Sequence, residues 1–417
     1  MKILHTSDWH LGHTLHDHSR EAEHQAFLAW LLDTLEAESV DALLICGDVF
    51  DNANPAAQSQ VLWYRFLAEA QRRLPGLDIV VIGGNHDSAA RLDAPDPLLR
   101  AFRVRVVGGL PYENDGTIKW DRLLIPLHDS ENNIAAWVAA MPFLRQADLP
   151  AIAEGEGDPL IDGVRQRYAD AIAAVRKRLT PGQALVVTGH CYMTGGVLSE
   201  LSERKILGGN QHALPADIFS EDIAYVALGH LHRPQKVGSR ENVRYSGSPL
   251  PLSVIEFGYE SQVCLVELNG SEFSGIRQLT VPRAVQYLRI PVRGELPLDT
   301  LLAELGELPS APTDDDRTAL PYLEAAPLLE KPEPALRERI QQSLVGKAVR
   351  LVRIAPAYAA GTGMLTTSLA GQSLTDITPE DVFVRRYRSS YCDDPSPEYL
   401  AAFHELIEQV EQGEVQP

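Results

Sequence analysis

Asp8, His10, Asp48, Asn85, His190, His230 and His232 form a set of oxygen and nitrogen donors with no sulfur among them. Such donors suit Mn²⁺, Fe²⁺ or Zn²⁺ in a catalytic site, whereas structural zinc recruits thiolates. The set is larger than one ion needs when water must also bind. Two ions about 3.5–4 Å apart, bridged by one carboxylate, would use all of it and leave positions open for substrate. The spacing points the same way. Residues two apart in an extended segment share a direction, so Asp8 with His10, and His230 with His232, each reach one site.

Taken singly, each signal is weak. A lone His-x-His is ordinarily a pair satisfied by hydrogen bonds, and a lone Gly-Asp is ordinarily a turn with a solvated carboxylate. The argument rests on repetition. The run Ala42-Leu43-Leu44-Ile45-Cys46-Gly47-Asp48 reads as a strand covered on both faces that delivers a carboxylate at its end. The same pattern recurs at Ile3 to Asp8, Ile79 to Asn85, Ala184 to His190 and Ile223 to His230. In each, Gly or Ser immediately precedes Asp, Asn or His. Glycine lets the backbone turn sharply and approach a bound ion, and ligands of open α/β sheets gather at the carboxyl ends of strands.

The chain that must position these residues has 417 residues, 45% of them hydrophobic, enough for one large domain and one or two small ones. Met1-Lys2-Ile3-Leu4-His5 enters a strand without a leader of signal-peptide type, and no stretch approaches transmembrane length. A cytoplasmic protein is expected. Cys46, Cys191, Cys264 and Cys392 show no C-x-x-C spacing and read as buried thiols. A formal net charge of -20 argues against a chain that coats nucleic acid unaided. It does not exclude a DNA enzyme, because ions neutralise a carboxylate-rich site and a partner can supply basic surface.

Residues 1 to about 110 alternate strands with helices at Arg20 to Ala37 and Ala56 to Leu74, an α/β pattern. The segment from Pro111 to Gly182 is less regular and reads as an insertion between core strands, ending in a helix from Leu160 to Leu179. Strands dominate from Val186 to about Val281. Beyond Val281-Pro282, strands at Gln286 to Val292 and Ala348 to Ile354 with helices near Leu298 to Leu305 and Glu333 to Leu344 make a small α/β domain. The domain expectation is 1–282 for the catalytic core, 283–358 for a cap, 359–374 for a linker and 375–417 for a helical pair. In its second helix Leu400, Phe403, Ile407 and Val410 form one apolar stripe that needs a surface to cover.

The motifs D-x-H at Asp8 and His10, G-D-x-x-D at Asp48 and Asp51, G-N-H-D at Asn85 to Asp87, G-H at His190 and G-H-x-H at His230 and His232 occur in that order. Together they resemble the calcineurin-like metallophosphoesterase superfamily. Leu4 to Gly12, Gly229 to Arg233 and Gly247-Ser248-Pro249 resemble more narrowly its Mre-type DNA-repair nucleases. The resemblance implies a sandwich of two mixed β-sheets flanked by helices. It implies one ion held by Asp8, His10, Asp48 and His232, another by Asp48, Asn85, His190 and His230, and Mn²⁺ as the metal. His86 would then face the scissile phosphate, its ring oriented by Asp51. It also implies a nuclease that works on duplex, hairpin and single-stranded DNA in repair, recombination and replication. An ATPase subunit would be its partner, with dimerisation through helices near residues 56–73 and 90–102.

Asn52 stands where the protein-phosphatase branch carries Arg, and Asp87 stands where that branch carries Glu, so the chain departs from that branch. His5, His13, His16, His18 and His212 fall outside the motifs and read as structural or solvent-facing. A phosphodiesterase or nucleotidase for small molecules is the second reading, but it leaves the cap and helical pair without a use. A metal-stabilised scaffold is the third, and a free His86 beside the ligands counts against it.

Overall fold

Ala42–Cys46 is buried at every position because its two faces meet different layers. Leu43 and Ile45 point to helices, while Leu44 and Cys46 point to a second sheet, the period-two alternation of a strand expressed inside an all-apolar run. A computed structural model describes residues 1–150, 158–194, 213–311 and 319–358, with residues 383, 384, 387, 399, 400 and 403. The chain forms two compact units, Met1–Tyr287 with Pro312–Tyr322, and Leu288–Ala311 with Leu323–Pro417.

In the first unit, β1 (Lys2–Thr6), β2 (Ala42–Cys46), β3 (Asp78–Ile82) and β4 (Val104–Val107) are parallel neighbours. The second sheet contains β5 (Leu124–His128), β6 (Ile134–Ala140), β7 (Ala184–His190), β8 (Tyr225–Gly229), β9 (Gln235–Val237) and β10 (Arg240–Tyr245). Its order is β9-β10-β8-β7-β6-β5, with β6, β7, β8 and β10 parallel. The first sheet is completed by β11 (Gln262–Asn269) and β12 (Glu272–Thr280), in the order β12-β11-β1-β2-β3-β4. Ile3, Leu44, Val80, Val138, Val186 and Val226 fill the space between the sheets.

Two helices, α1 (Glu21–Ala37) and α2 (Ala57–Arg73), cover the outer face of the first sheet. Phe27, Leu31 and Leu35 from α1 and Trp63, Phe66 and Leu67 from α2 meet Leu43, Ile45, Ile79 and Val81. Burying each of these large side chains contributes about 1.5–3 kcal/mol. The helix α3 (Pro159–Arg176) packs its Val164, Tyr168, Ile172 and Val175 on the second sheet. Asp158 caps it by accepting from the Leu160 N–H at 2.9 Å.

Residues 111–182 are therefore not an insertion. They supply β5, β6 and α3, and β6 pairs directly with β7. Ile134–Ala140 carries four alanines and few β-branched residues, so its strand character comes from its neighbours rather than from propensity. The region 90–102 is also broken up, into Ala89–Asp93, Asp96–Leu99 and a 3-10 turn Arg100–Phe102, because Pro95 and Pro97 interrupt it.

In the second unit, Tyr287–Ile290, Tyr322–Ala325 and Arg350–Ile354 form one three-stranded sheet. Helices Leu298–Gly306 and Leu336–Ser343 bury Leu301, Leu305 and Ile340 against Leu323 and Ala325. Near the C-terminus the Phe383 and Phe403 rings stack with centroids 4.3 Å apart. Leu400 and Phe403 are half-buried. Ile407, Val410, the residues 359–374 expected as a linker, and Cys392 lie outside the described residues, while Cys46, Cys191 and Cys264 are buried free thiols.

Candidate metal centre

Beyond their last residues, β1 and β2 stay paired into the loops they feed. The Asp8 N–H donates to the Gly47 carbonyl at 3.0 Å, and the His10 N–H donates to the Asp48 carbonyl at 3.0 Å. Within this tight arrangement four proposed ligands adopt left-handed backbone, with φ of 54° at Asp8, 47° at His10, 50° at Asp48 and 100° at His230. Residues with side chains rarely hold that conformation, and its persistence at strand ends marks functional sites. Here it turns each side chain inward instead of letting it alternate across the sheet.

The carboxylates are fixed from behind. Asp8 accepts from the His230 N–H at 3.0 Å and from the Ser7 hydroxyl at 2.5 Å. Asp48 Oδ1 accepts from the His86 N–H at 2.8 Å, so its Oδ2 is the oxygen turned to the imidazoles. That oxygen lies 3.2 Å from His190 Nε2 and 3.7 Å from His10 Nε2. Asn85 Oδ1 lies 2.9 Å from His190 Nε2 and 3.1 Å from His230 Nδ1. His190 Nδ1 donates to the Cys46 carbonyl at 2.9 Å, which leaves Nε2 as its ligand nitrogen.

The structure thus brings all of the expected donors to one end of the two sheets. Asp8, His10 and His232 form one group and Asp8, Asp48 and His190 another, with ligand atoms within 4.8 Å of one another in each. Both ring nitrogens of His10 are buried without a hydrogen-bond partner. Such orphaned donors beside carboxylates fit a divalent cation. The electrostatics agree. Burial opposes a charge on His190, yet Asp48 and Asp8 lift its pKa to about 9, the response of a site built to attract positive charge. Burial likewise opposes ionisation of Asp48, yet His190, followed by His10, holds it well below the usual carboxylate range.

His86 is half-buried, with its ring edge-on to that of His10 at 4.9 Å. Its Nδ1 donates to the backbone carbonyl of Asp51 at 2.9 Å, leaving Nε2 for chemistry. The Asp51 carboxylate lies 3.4 Å from His10 Nδ1 instead. Asp51 therefore orients His86 through its main chain, because the nearby buried His10 attracts its side chain.

Two supporting carboxylates escape a reading of the motifs. Asp87 accepts from the N–H groups of Val49 at 3.1 Å, Phe50 at 3.0 Å and Gly84 at 2.9 Å, joining the loops after β2 and β3. Burial and then Asp48 raise its pKa to about 6, against the pull of those three donors. Glu256, in the turn Ile255–Gly258, places Oε1 3.1 Å from His232 Nδ1, while its Oε2 accepts from the Leu252 N–H at 2.7 Å. That contact orients a ligand histidine. Ser248 ties the same corner to the first strand by donating to the Asp8 carbonyl at 2.8 Å.

Of the histidines outside the motifs, His5 is fully buried between the Tyr225 hydroxyl at 2.9 Å and the Leu228 carbonyl at 3.2 Å. His13 and His18 are half-buried, His16 is exposed, and His212 lies outside the described residues.

A family model described as calcineurin-like phosphoesterase matches residues 1–234, and one described as type 5 capsule protein repressor C-terminal domain matches residues 283–391. The SbcD component of the nuclease SbcCD from Rhodobacter capsulatus is 42% identical over 392 residues, 93% of this chain and 94% of that relative. The proteins of the same name from Escherichia coli K12 and Bacillus subtilis 168 are 36% identical over 68% of this chain and 35% identical over 65% of it. They are covered over 68% and 67% of their own lengths. The solved dimetal phosphatase of Danio rerio shares 9% identity at a TM-score of 0.33, covering 68% of this chain and 99% of that one. This chain belongs to the calcineurin-like phosphoesterases and, within them, to the SbcD nucleases, metal-dependent hydrolases of phosphodiester bonds.

Proposed function

We propose that the chain hydrolyses DNA phosphodiester bonds with two divalent ions, Mn²⁺ the best fit. One is held by Asp8, His10, Asp48 and His232, the other by Asp48, Asn85, His190 and His230. The observation that carries the reading is Asp48. Its Oδ1 is tied to the His86 N–H while its Oδ2 faces both His10 and His190, as a bridging carboxylate must. When bound, the ions supply a nucleophilic hydroxide and stabilise charge on the phosphate. The protein's own contribution is orientation and proton handling. His86, its Nδ1 proton engaged by the Asp51 carbonyl, offers Nε2 to the leaving oxygen.

The relatives' names place them in a complex, and the same assembly is proposed here: a homodimer bound to an SbcC ATPase subunit, in the cytoplasm. No described helix is long and apolar enough to cross a membrane. An apolar cavity of about 650 Å³ lined by Tyr64, Leu67, Leu98, Phe102 and Val104 supports self-association through 56–73 and 90–102. Leu98 is 67% and Phe102 52% exposed beside it. In this proposal residues 1–282 form the nuclease, 283–358 the cap, 359–374 the linker and 375–417 the helices that dock on SbcC.

The experiment compares wild type and Asp48→Ala, each with and without SbcC, on single-stranded, hairpin and blocked-end duplex DNA in Mn²⁺ and in Mg²⁺. Wild type should cut single strands alone and digest duplex only with SbcC and ATP. The variant should bind less metal and cut nothing. Undiminished cleavage by Asp48→Ala would end the two-ion model.

A further inference from the structure

Two arginines stand at the rim of this centre, each laid on an aromatic ring and neither in an ion pair among the described residues. Arg145 is exposed, with its guanidinium 5.9 Å from the centroid of the Phe143 ring. It donates to the Asp87 carbonyl at 3.3 Å, which ties it to the loop that carries Asn85 and His86. Phe143 meets the His190 ring edge-on at 6.2 Å, and its N–H donates to the Gly83 carbonyl at 2.8 Å. One aromatic ring therefore separates the Arg145 cation from a proposed ligand of the second ion.

Arg233 repeats the arrangement on the other side. It directly follows His232, is exposed, and lies 5.5 Å from the centroid of Tyr259. Tyr259 closes the turn that carries Glu256, its N–H donating to the Glu256 carbonyl at 2.8 Å. The element that orients His232 also carries the ring beneath Arg233.

A guanidinium resting on a ring face is held by cation–π attraction without losing its charge, and its N–H edge stays free for bidentate contact. In a chain of net charge -20, arginines left unneutralised beside a carboxylate-rich centre call for an anionic ligand. A single diester spanning the ions would not occupy both. A polynucleotide carries a phosphate on either side of the one being cut. We propose that Arg145 and Arg233 bind the two phosphates that flank the scissile one, so that the site prefers a polynucleotide to a small phosphodiester. The inference rests on the two-ion nuclease reading of the same centre.

The test uses the full chain with Mn²⁺ and the variants Arg145→Ala, Arg233→Ala and Arg145→Lys. Arg178→Ala is the matched control. Arg178 lies 5.5 Å from the Trp137 centroid and pairs with Asp121, but it precedes β7 and so sits at the end of the sheet away from His190. Steady-state kinetics are read on a single-stranded oligonucleotide over a range of salt, and on bis(p-nitrophenyl) phosphate, which has no flanking phosphates. Each alanine variant should raise KM for DNA about ten- to a hundredfold, the worth of a charged hydrogen bond. Each should also reduce the magnitude of the log–log salt slope of kcat/KM by about one. The ratio of DNA to small-diester activity should fall by the same factor. Arg145→Lys should recover the salt slope and only part of KM, since lysine restores charge but not the planar fork. Wild-type salt slopes in both alanine variants would overturn the proposal, as would equal losses on the two substrates. A failure of the underlying reading looks different: Asp48→Ala would then still hydrolyse the small diester.

Discussion

Replacing Gly84 by alanine tests the centre through space alone. A Cβ at Gly84 would lie 2.1 Å from Asp48 Oδ1, 2.3 Å from the Asp48 backbone nitrogen and 2.7 Å from Asp48 Cγ. The first separation falls 1.3 Å short of the 3.4 Å at which ordinary contact begins. Backbone as well as side chain blocks the methyl, so no rotamer change relieves it. Asp48 must move, and the 2.8 Å bond from the His86 N–H moves with it. Metal sites tolerate departures of only about 0.2 Å in ligand distance, and a misplacement of about 1 Å at a reacting centre costs on the order of 10²-fold in rate. The overpacking itself costs about 1–3 kcal/mol.

Gly84→Ala should therefore lose at least about a hundredfold in nuclease turnover and bind less Mn²⁺ after dialysis, while its urea midpoint falls only modestly. Gly275→Ala in β12 is the control, because nothing lies within 4 Å of the Cβ it would add. Elemental analysis, urea unfolding and cleavage of a single-stranded oligonucleotide separate the outcomes. A variant with full metal content and wild-type turnover would refute the placement of Asp48 between the ions.

His86→Ala should keep Mn²⁺ and DNA binding but lose about 10²–10⁴-fold in turnover, as expected for a lost general acid or base; loss of a metal by elemental analysis would make His86 a ligand instead. Glu256→Gln should weaken Mn²⁺ binding about ten- to a hundredfold, because a single amide oxygen cannot serve both His232 Nδ1 and the Leu252 N–H; calorimetric titration with an unchanged isotherm would remove Glu256 from the site. Burial lowers the His5 pKa from 6.5 to about 3. Its neutral form is favoured by folding, so that contribution is full above the unfolded value and is lost as pH falls from about 6.5 towards 3. Between pH 7 and pH 5 the metal-free protein should lose about 2 kcal/mol from this group, and His5→Gln, compared by urea unfolding at the two pH values, should flatten the difference.

The strand-end residues were legible because strands covered on both faces read as uninterrupted apolar runs, and a small residue before Asp48, Asn85, His190 or His230 shows as a break in the run. The strand Ile134–Ala140 was not legible. Alanine has no β preference of its own, so the identity of that segment is decided by pairing with β7, a contact invisible along the chain. Side-chain partnership was legible only where it was local. Glu256 serves a histidine 24 residues earlier from an irregular turn, and Asp87 serves backbone donors of Val49 and Phe50 on another strand's loop. Neither leaves a periodic trace. Asp51 was found by its motif, but whether its carbonyl or its carboxylate meets His86 depends on the course of the backbone beside His10.

The left-handed backbone at Asp8, His10, Asp48 and His230 joins the fold to the chemistry. Each such residue costs on the order of 1–3 kcal/mol and persists only where its surroundings over-determine it. Those surroundings are themselves parts of the centre: the Asp8 carboxylate holds the His230 N–H, the Asp48 carboxylate holds the His86 N–H, and the Gly47 carbonyl holds the Asp8 N–H. The carboxylates thus serve the backbone with one oxygen and face the ion positions with the other. In Asp48 the two oxygens divide cleanly between the roles. A cation bound to Oδ2 strengthens the hold of the same carboxylate on its loops, since it offsets the mutual repulsion of Asp8, Asp48 and Asp87. Metal binding therefore favours the folded chain by linkage as well as supplying the chemistry.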